Sequence, residues 1–329
     1  MGCPDWPKCF GQWIPPTEVS ALPLNYKEVY AQKRKKKNYR LANMLEYWGM
    51  DETAQRLRGD AQTYEEADFN ALKTWIEYIN RLVGVLIGFF IFLTFLFSFA
   101  YVRSRPHITL SSFAAFILVG VQGWIGSVVV STNLLPGLIS LHMLLAIVIV
   151  SILIYAVLQG QSPLPIPPDV RWSLLKKTLL LAMALTLLQV LMGTQVREGI
   201  DLVAKAMGLE ARPNWIWQVG FIFYVHRSFS WLLLLVHGYL IWLVFKARAK
   251  KQSLWLRQGA FWLGTFIVLE TGIGIGLAYL GMPAFLQPLH LLIGVLVLGI
   301  QFAGWILLSS SQPNEAELVY KNSNTIVAQ

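Results

Sequence analysis

Between Arg105 and Asp169 the chain carries no Asp, Glu, Lys or Arg, and none lies between Glu270 and Glu315. A helix that crosses a bilayer takes about 20 mostly apolar residues, so the first of those stretches holds two crossings and the second holds the end of one and the whole of another. Arg81 to Arg103, Lys177 to Arg197 and Arg227 to Lys246 each frame one more, and Arg257 to Tyr279 completes seven. The sequence therefore predicts an all-α polytopic membrane protein. Histidine, glutamate and arginine inside such spans are costly and mark function.

Composition fits that class: 55% of the 329 residues are hydrophobic and 14% are charged, with 13 Trp to line the two interfaces. The net charge of +9 is topological and calls for no nucleic acid. Arg103 and Arg105, then Arg171, Lys176 and Lys177, then Lys246, Arg248, Lys250, Lys251 and Arg257 form three basic connections. The alternate connections, Thr132–Gly137 and Leu280–Ala284, are uncharged, and Glu198–Arg212 is mixed. Positive residues stay in the cytoplasm, which puts the alternate connections and residues 1–74 outside. The run Lys33-Arg34-Lys35-Lys36-Lys37 does not oppose this, because loops beyond about 60 residues escape the rule.

The only two cysteines lie in Cys3-Pro4-Asp5-Trp6-Pro7-Lys8-Cys9. Such a pair is half a metal site or a disulfide. The head has no histidine or further cysteine to complete a metal site, and an oxidising face favours the disulfide.

The helices repeat. Trp75–Arg81 opens a helix, Gln122-Gly123-Trp124-Ile125-Gly126 lies in the next, and Leu141-His142 follows. In a second block Phe223–Arg227 opens a helix, Glu270-Thr271-Gly272-Ile273-Gly274 lies in the next, and Leu289-His290 follows. Gln122 precedes His142 by 20 residues and Glu270 precedes His290 by 20, while Asn80 to His142 is 62 and His226 to His290 is 64. Two related bundles are expected. Lys177–Arg197 supplies the second block's first helix, so four helices per block predicts two pseudo-symmetric four-helix bundles. The first block's opening helix would then precede Met1. The glycines beside Gln122 and Glu270 permit close helix packing or make room for a flat cofactor.

His142, His226 and His290 all fall near the outer ends of their helices. Matched depth points to metal ligation, and imidazoles without thiolates or a carboxylate cluster suit haem iron better than structural zinc. His237 lies 11 residues beyond His226, about 16 Å deeper at 1.5 Å per residue, and has no repeat partner. It is expected to be a hydrogen-bonded core residue. His107, beside Arg105, is expected to be solvated. The second block offers two axial imidazoles, His226 and His290, for a closed iron suited to electron transfer. The first offers His142 opposite the amide of Asn80, with Glu77 one turn away on the same face.

These residues resemble a known family. The paired repeats, Glu77–Arg81 as E-x-x-[HN]-R, His226-Arg227 and the Cys-Pro-Asp-Trp-Pro-x-Cys segment are similar to heme A synthase, from Gly2 to about residue 309. The resemblance implies oxidation of the C8 methyl of heme O to a formyl group by successive hydroxylations. It implies haem b as cofactor on His226 and His290, and heme O on His142 with Asn80, Arg81 and catalytic Glu77. Arg81 and Arg227 would pair with propionates, and Cys3 with Cys9. Implied partners are heme O synthase and an electron donor, and the implied location is the cytoplasmic (inner) membrane with both haem sites toward the outside. The corresponding division is 1–74 as an external head, 75–160 as a three-helix substrate bundle, 161–310 as a four-helix cofactor bundle and 311–329 as a cytoplasmic tail.

Asn80 stands where the family often has histidine, which predicts an open position on the substrate iron, since an amide is a poor ligand. The insert of about residues 16–69 resembles only part of the family. Two other classes compete. A cytochrome b-type electron carrier would stack two haems through two histidines on one helix, and a two-repeat transporter would break its helices at the midplane.

Overall fold

The computed structural model describes residues 2–59, 64, 66–132, 137–162, 171–246 and 254–310. The 311–329 tail lies outside them, as do Arg248, Lys250 and Lys251 of the third basic connection. Ten α-helices run in order: α1 (Tyr26–Tyr47), α2 (Asp51–Gly59), α3 (Ala71–Ser98), α4 (Pro106–Ser131), α5 (Leu138–Gln159), α6 (Trp172–Met207), α7 (Trp215–Gln218), α8 (Phe221–Lys246), α9 (Leu254–Tyr279) and α10 (Leu286–Ser310). Among the described residues no strand forms, only an isolated bridge between Cys9 and Gln12. Seven helices are long and apolar enough to cross a membrane: α3 with its trailing 3₁₀ turn, α4, α5, α6, α8, α9 and α10. They are the seven expected spans.

The chain forms two compact units: residues 1–103 with 112–146, and residues 104–111 with the chain from 147 onward. In the second, α6, α8, α9 and α10 pack as a four-helix bundle. Lipid tails are as apolar as leucine, so van der Waals fit rather than expulsion from water drives such packing. Its core accordingly sets Ala182 and Ala260 among Leu179, Leu240, Leu263 and Val297.

One difference from the sequence reading lies in α6. The segment from Glu198 to Met207, expected as part of a mixed connection, continues the helix to a length of 36 residues, about 54 Å at 1.5 Å per residue. Tertiary contacts hold this extension. Arg197 and Asp201 pair at 3.0 Å one turn apart, and Val196 and Ile200 pack with Trp215, Ile216, Phe223 and Met282.

In the first unit the head is folded rather than extended. The Cys3–Cys9 disulfide forms, with Cα atoms 5.2 Å apart. The pair is buried with Phe10, Leu22, Tyr26 and Tyr30. Phe10 is the hub: its ring meets the edges or faces of Tyr30 at 5.2 Å, Phe69 at 5.6 Å and Tyr26 at 6.3 Å, a favoured geometry for aromatic pairs. The insert is thus tied to the cysteine loop through α1. Farther along α1, fully buried Asn38 donates to Ser131 O at the end of α4, 2.8 Å away. Arg34 and Glu66 join α1 to the segment before α3 at 2.9 Å. Asn70 caps α3, accepting from Lys73 N at 2.9 Å.

His237 is a locked core residue, as expected. It is 1% exposed, and its Nδ1 lies 2.7 Å from Leu233 O. A carbonyl only accepts, so Nδ1 carries the proton and Nε2 is the acceptor. Gln301 Nε2 meets that acceptor at 2.6 Å and also donates to Thr186 Oγ1 at 3.0 Å. Thr186 in turn donates to Ala182 O at 2.8 Å. This neutral chain joins α6, α8 and α10. Gln301→Leu strands His237 Nε2 and is expected to cost about 1–3 kcal/mol, read as a lower melting temperature in detergent. The double variant His237→Leu, Gln301→Leu should recover part of that loss, because both partners then become apolar. A single variant as stable as the unmodified protein would show that the chain contributes nothing. His107, at the start of α4 rather than in a loop, is exposed, with its ring centre 6.2 Å from that of Tyr155.

Candidate functional site

In the second unit His226 is the sixth residue of α8 and His290 the fifth of α10. The fold brings them face to face. Their ring centres stand 6.5 Å apart with planes at 83°. Two imidazoles that share one metal, each nitrogen about 2 Å from it, hold their ring centres roughly 6–6.5 Å apart. The spacing is therefore that of two axial ligands. Among the described residues no group of three or more His, Cys, Asp or Glu is arranged to hold a metal ion. A closed tetrahedral zinc site, which takes four protein ligands, does not fit this donor set, whereas a macrocyclic iron with two axial imidazoles does.

Neighbouring helices fix both rings. Gln189 Nε2 of α6 donates to His226 O at 3.0 Å. Glu270 Oε1 of α9 lies 3.1 Å from His290 Nδ1. A Cβ on Gly193 would sit 3.3 Å from His226 Cε1, and one on Gly274 would sit 3.4 Å from His290 Cε1. Arg227 is exposed and holds its guanidinium 5.3 Å from the Tyr224 ring centre and 5.7 Å from that of Phe223, within reach of a cation–π attraction.

In the first unit His142 is the fifth residue of α5, the place His290 has in α10. Gln122 Nε2 of α4 donates to His142 O at 2.9 Å, and a Cβ on Gly126 would sit 3.2 Å from His142 Cε1. Glu77 lies with Arg81 in the first half of α3, and both are engaged with the cysteine loop. Cys3 N donates to Glu77 Oε2 at 3.1 Å, and Arg81 Nη2 pairs with Glu77 Oε1. Arg81 also donates to Asp5 O and to Cys3 O, each at 2.7 Å. Asp5 closes the loop by accepting from Phe10 N at 2.7 Å and Gly11 N at 3.0 Å. A Cβ on Gly2 would meet Glu77 Oε2, so a larger residue there would displace the carboxylate. Asn80 is exposed one turn along α3 from Glu77.

Reading the sequence missed Gln189 and the grip of the loop on Arg81. The first had a usable signal. A Gln or Glu followed four residues later by glycine occurs at Gln122–Gly126, Gln189–Gly193 and Glu270–Gly274, on the helix packed against each of the three histidines, and also at Gln55–Gly59 and Gln195–Gly199. The second had none, since backbone carbonyls leave no trace in residue identity.

Neither a curated protein nor a solved structure matches this chain. A model of the COX15-CtaA family, described as cytochrome oxidase assembly protein, matches residues 1–302. That match takes in the cysteine loop, all three histidines, the first six membrane helices and most of α10, and so the chain belongs to the COX15-CtaA family, the heme A synthase family of cytochrome oxidase assembly proteins.

Proposed function

We propose that this protein is a heme A synthase that oxidises the C8 methyl of heme O to a formyl group by successive hydroxylations, with haem b as resident cofactor. The observation that carries this reading is the facing pair His226 and His290, 6.5 Å apart, in a chain of the heme A synthesis family. Haem b bound there would supply one-electron redox chemistry. His226 would hold it from α8 and His290 from α10.

In the first unit His142 would hold the iron of heme O, with Asn80 opposite. Glu77 would take up a proton or stabilise positive charge as the methyl carbon is oxidised. Its position is set by Cys3 N and Arg81, so the cysteine loop orients the carboxylate. Arg81 and Arg227, each one residue beyond Asn80 and His226, would reach propionates. Arg81 already gives three hydrogen bonds to Glu77 and the loop out of five N–H donors. The protein would lie in the cytoplasmic (inner) membrane with both sites toward the outside, receiving heme O from heme O synthase and electrons from a separate donor. The rival reading as a stacked two-haem carrier needs a second ligand on one helix. On α8 that would be His237, and both of its nitrogens are taken.

Three outcomes are expected. His226→Ala and His290→Ala should each abolish a low-spin b-type spectrum in the purified protein; survival of a six-coordinate spectrum in both would rule out the ligand pair. Glu77→Gln should still bind heme O while heme A yield drops by about 10²-fold, and an unchanged yield would remove Glu77 from the chemistry. Asn80→His should turn heme O bound in the first unit from high-spin to low-spin by electron paramagnetic resonance. A low-spin signal already present in the unmodified protein would mean that another residue supplies the ligand.

A further inference from the structure

Each of the three site histidines meets the same two-residue device on an adjacent helix. The first member is Gln122, Gln189 or Glu270, and the second is a glycine four residues on, Gly126, Gly193 or Gly274. Residues four apart lie above one another on one face. The glycine receives the Cε1 corner of the ring at 3.2, 3.3 and 3.4 Å from where a Cβ would stand. Each imidazole thus meets its bracing helix by the corner between its two nitrogens. The polar member lies one turn away on the same face of that helix.

The unpartnered atoms agree. Buried and without a hydrogen bond are Nδ1 of His142, His226 and His290, together with Gln122 Oε1, Gln189 Oε1 and Glu270 Oε2. On each brace an acceptor oxygen is left over beside an imidazole whose Nδ1 must carry the proton if Nε2 binds a metal. A metal-bound histidine almost always gives its other N–H to such an acceptor, which fixes the ring and strengthens it as a donor.

The three braces differ in one respect. Two end in an amide that is bonded to the backbone carbonyl of its histidine. The third ends in a carboxylate, 3.1 Å from Nδ1 of His290 itself. Glu270 is also seated from the far side: a Cβ on Gly294, one turn beyond His290, would come within 3.2 Å of its Oε1. On α9 and α10 each functional side chain thus lies over a glycine of the other helix, an exchange that neither amide brace has. Among the membrane helices, Glu270 is the acid in a stretch that has no other charged residue from Gln258 to Asn314. A carboxylate in that setting is costly unless a positive centre balances it, and a ferric haem core is such a centre.

We propose that Glu270 is a positioning and tuning residue of the cofactor site: its carboxylate accepts the Nδ1 proton of His290, makes that imidazole the stronger donor of the pair and holds the bound haem at a lower reduction potential than an amide would. This rests on the haem b reading of His226 and His290. Gln189 is its neutral counterpart on His226, so the two axial ligands are unequal by construction.

The test is a redox titration of the haem in the purified full-length protein, with ferric electron paramagnetic resonance on the same samples. Glu270→Gln copies the brace present at the other two histidines. It should keep a low-spin haem, move its midpoint to higher potential and alter the anisotropy of the ferric signal. Gln189→Glu places a second carboxylate and should move the midpoint the opposite way. It also carries the inference alone if Glu270→Gln fails to fold. Midpoints unmoved in both variants, with haem still bound, would overturn the role of Glu270. A low-spin haem that survives His226→Ala, or none in the unmodified protein, would instead bring down the haem site itself.

Discussion

A polar group inside a bilayer has no water to fall back on, and every such group in these spans is placed by that requirement. His237 and the three site histidines show two ways of meeting it. Both nitrogens of His237 are bonded, one to a backbone carbonyl and one to Gln301, which makes it a fastening between helices with no valence left for a ligand. His142 and His226 keep Nδ1 without a hydrogen bond while their backbone carbonyls are held by Gln122 and Gln189, and His290 Nδ1 faces the Glu270 carboxylate at 3.1 Å. His237 and these three histidines thus differ in how many of their nitrogens the neighbouring helices use.

Glycine gives the helices the closeness this needs. In lipid a small residue is favoured because it lets backbones approach. At Gly126, Gly193 and Gly274 the space gained is filled by an imidazole rather than by another backbone. Of the two roles that sequence left open for such glycines, tight packing or room for a cofactor, these three take a form of the first: each seats an imidazole of the adjacent helix.

Outside the spans the chain folds by burial from water. The disulfide, Phe10, Tyr26 and Tyr30 form a small core of their own, and that core carries the loop whose backbone engages Glu77 and Arg81. The insert, unreadable from residues alone, is packed against this loop through α1. It packs beside the loop whose Cys3 N donates to the Glu77 carboxylate.

The number of membrane spans, the disulfide and the locked role of His237 were legible because each rests on residue type and position along the chain. Charge-free runs and a cysteine pair survive in any one-dimensional record. The helical extension of α6 past Arg197 was not, since polar residues there read as a loop until Trp215 and Phe223 pack against them. Nor was the facing of His226 and His290, which lie 64 residues apart in sequence and 6.5 Å apart between ring centres. Sequence decided which helices are long and apolar enough to cross a bilayer, through hydropathy and helical rise. Only tertiary structure decided which of their atoms are spent on neighbours and which stay open, because that depends on the rotation of each helix against the next.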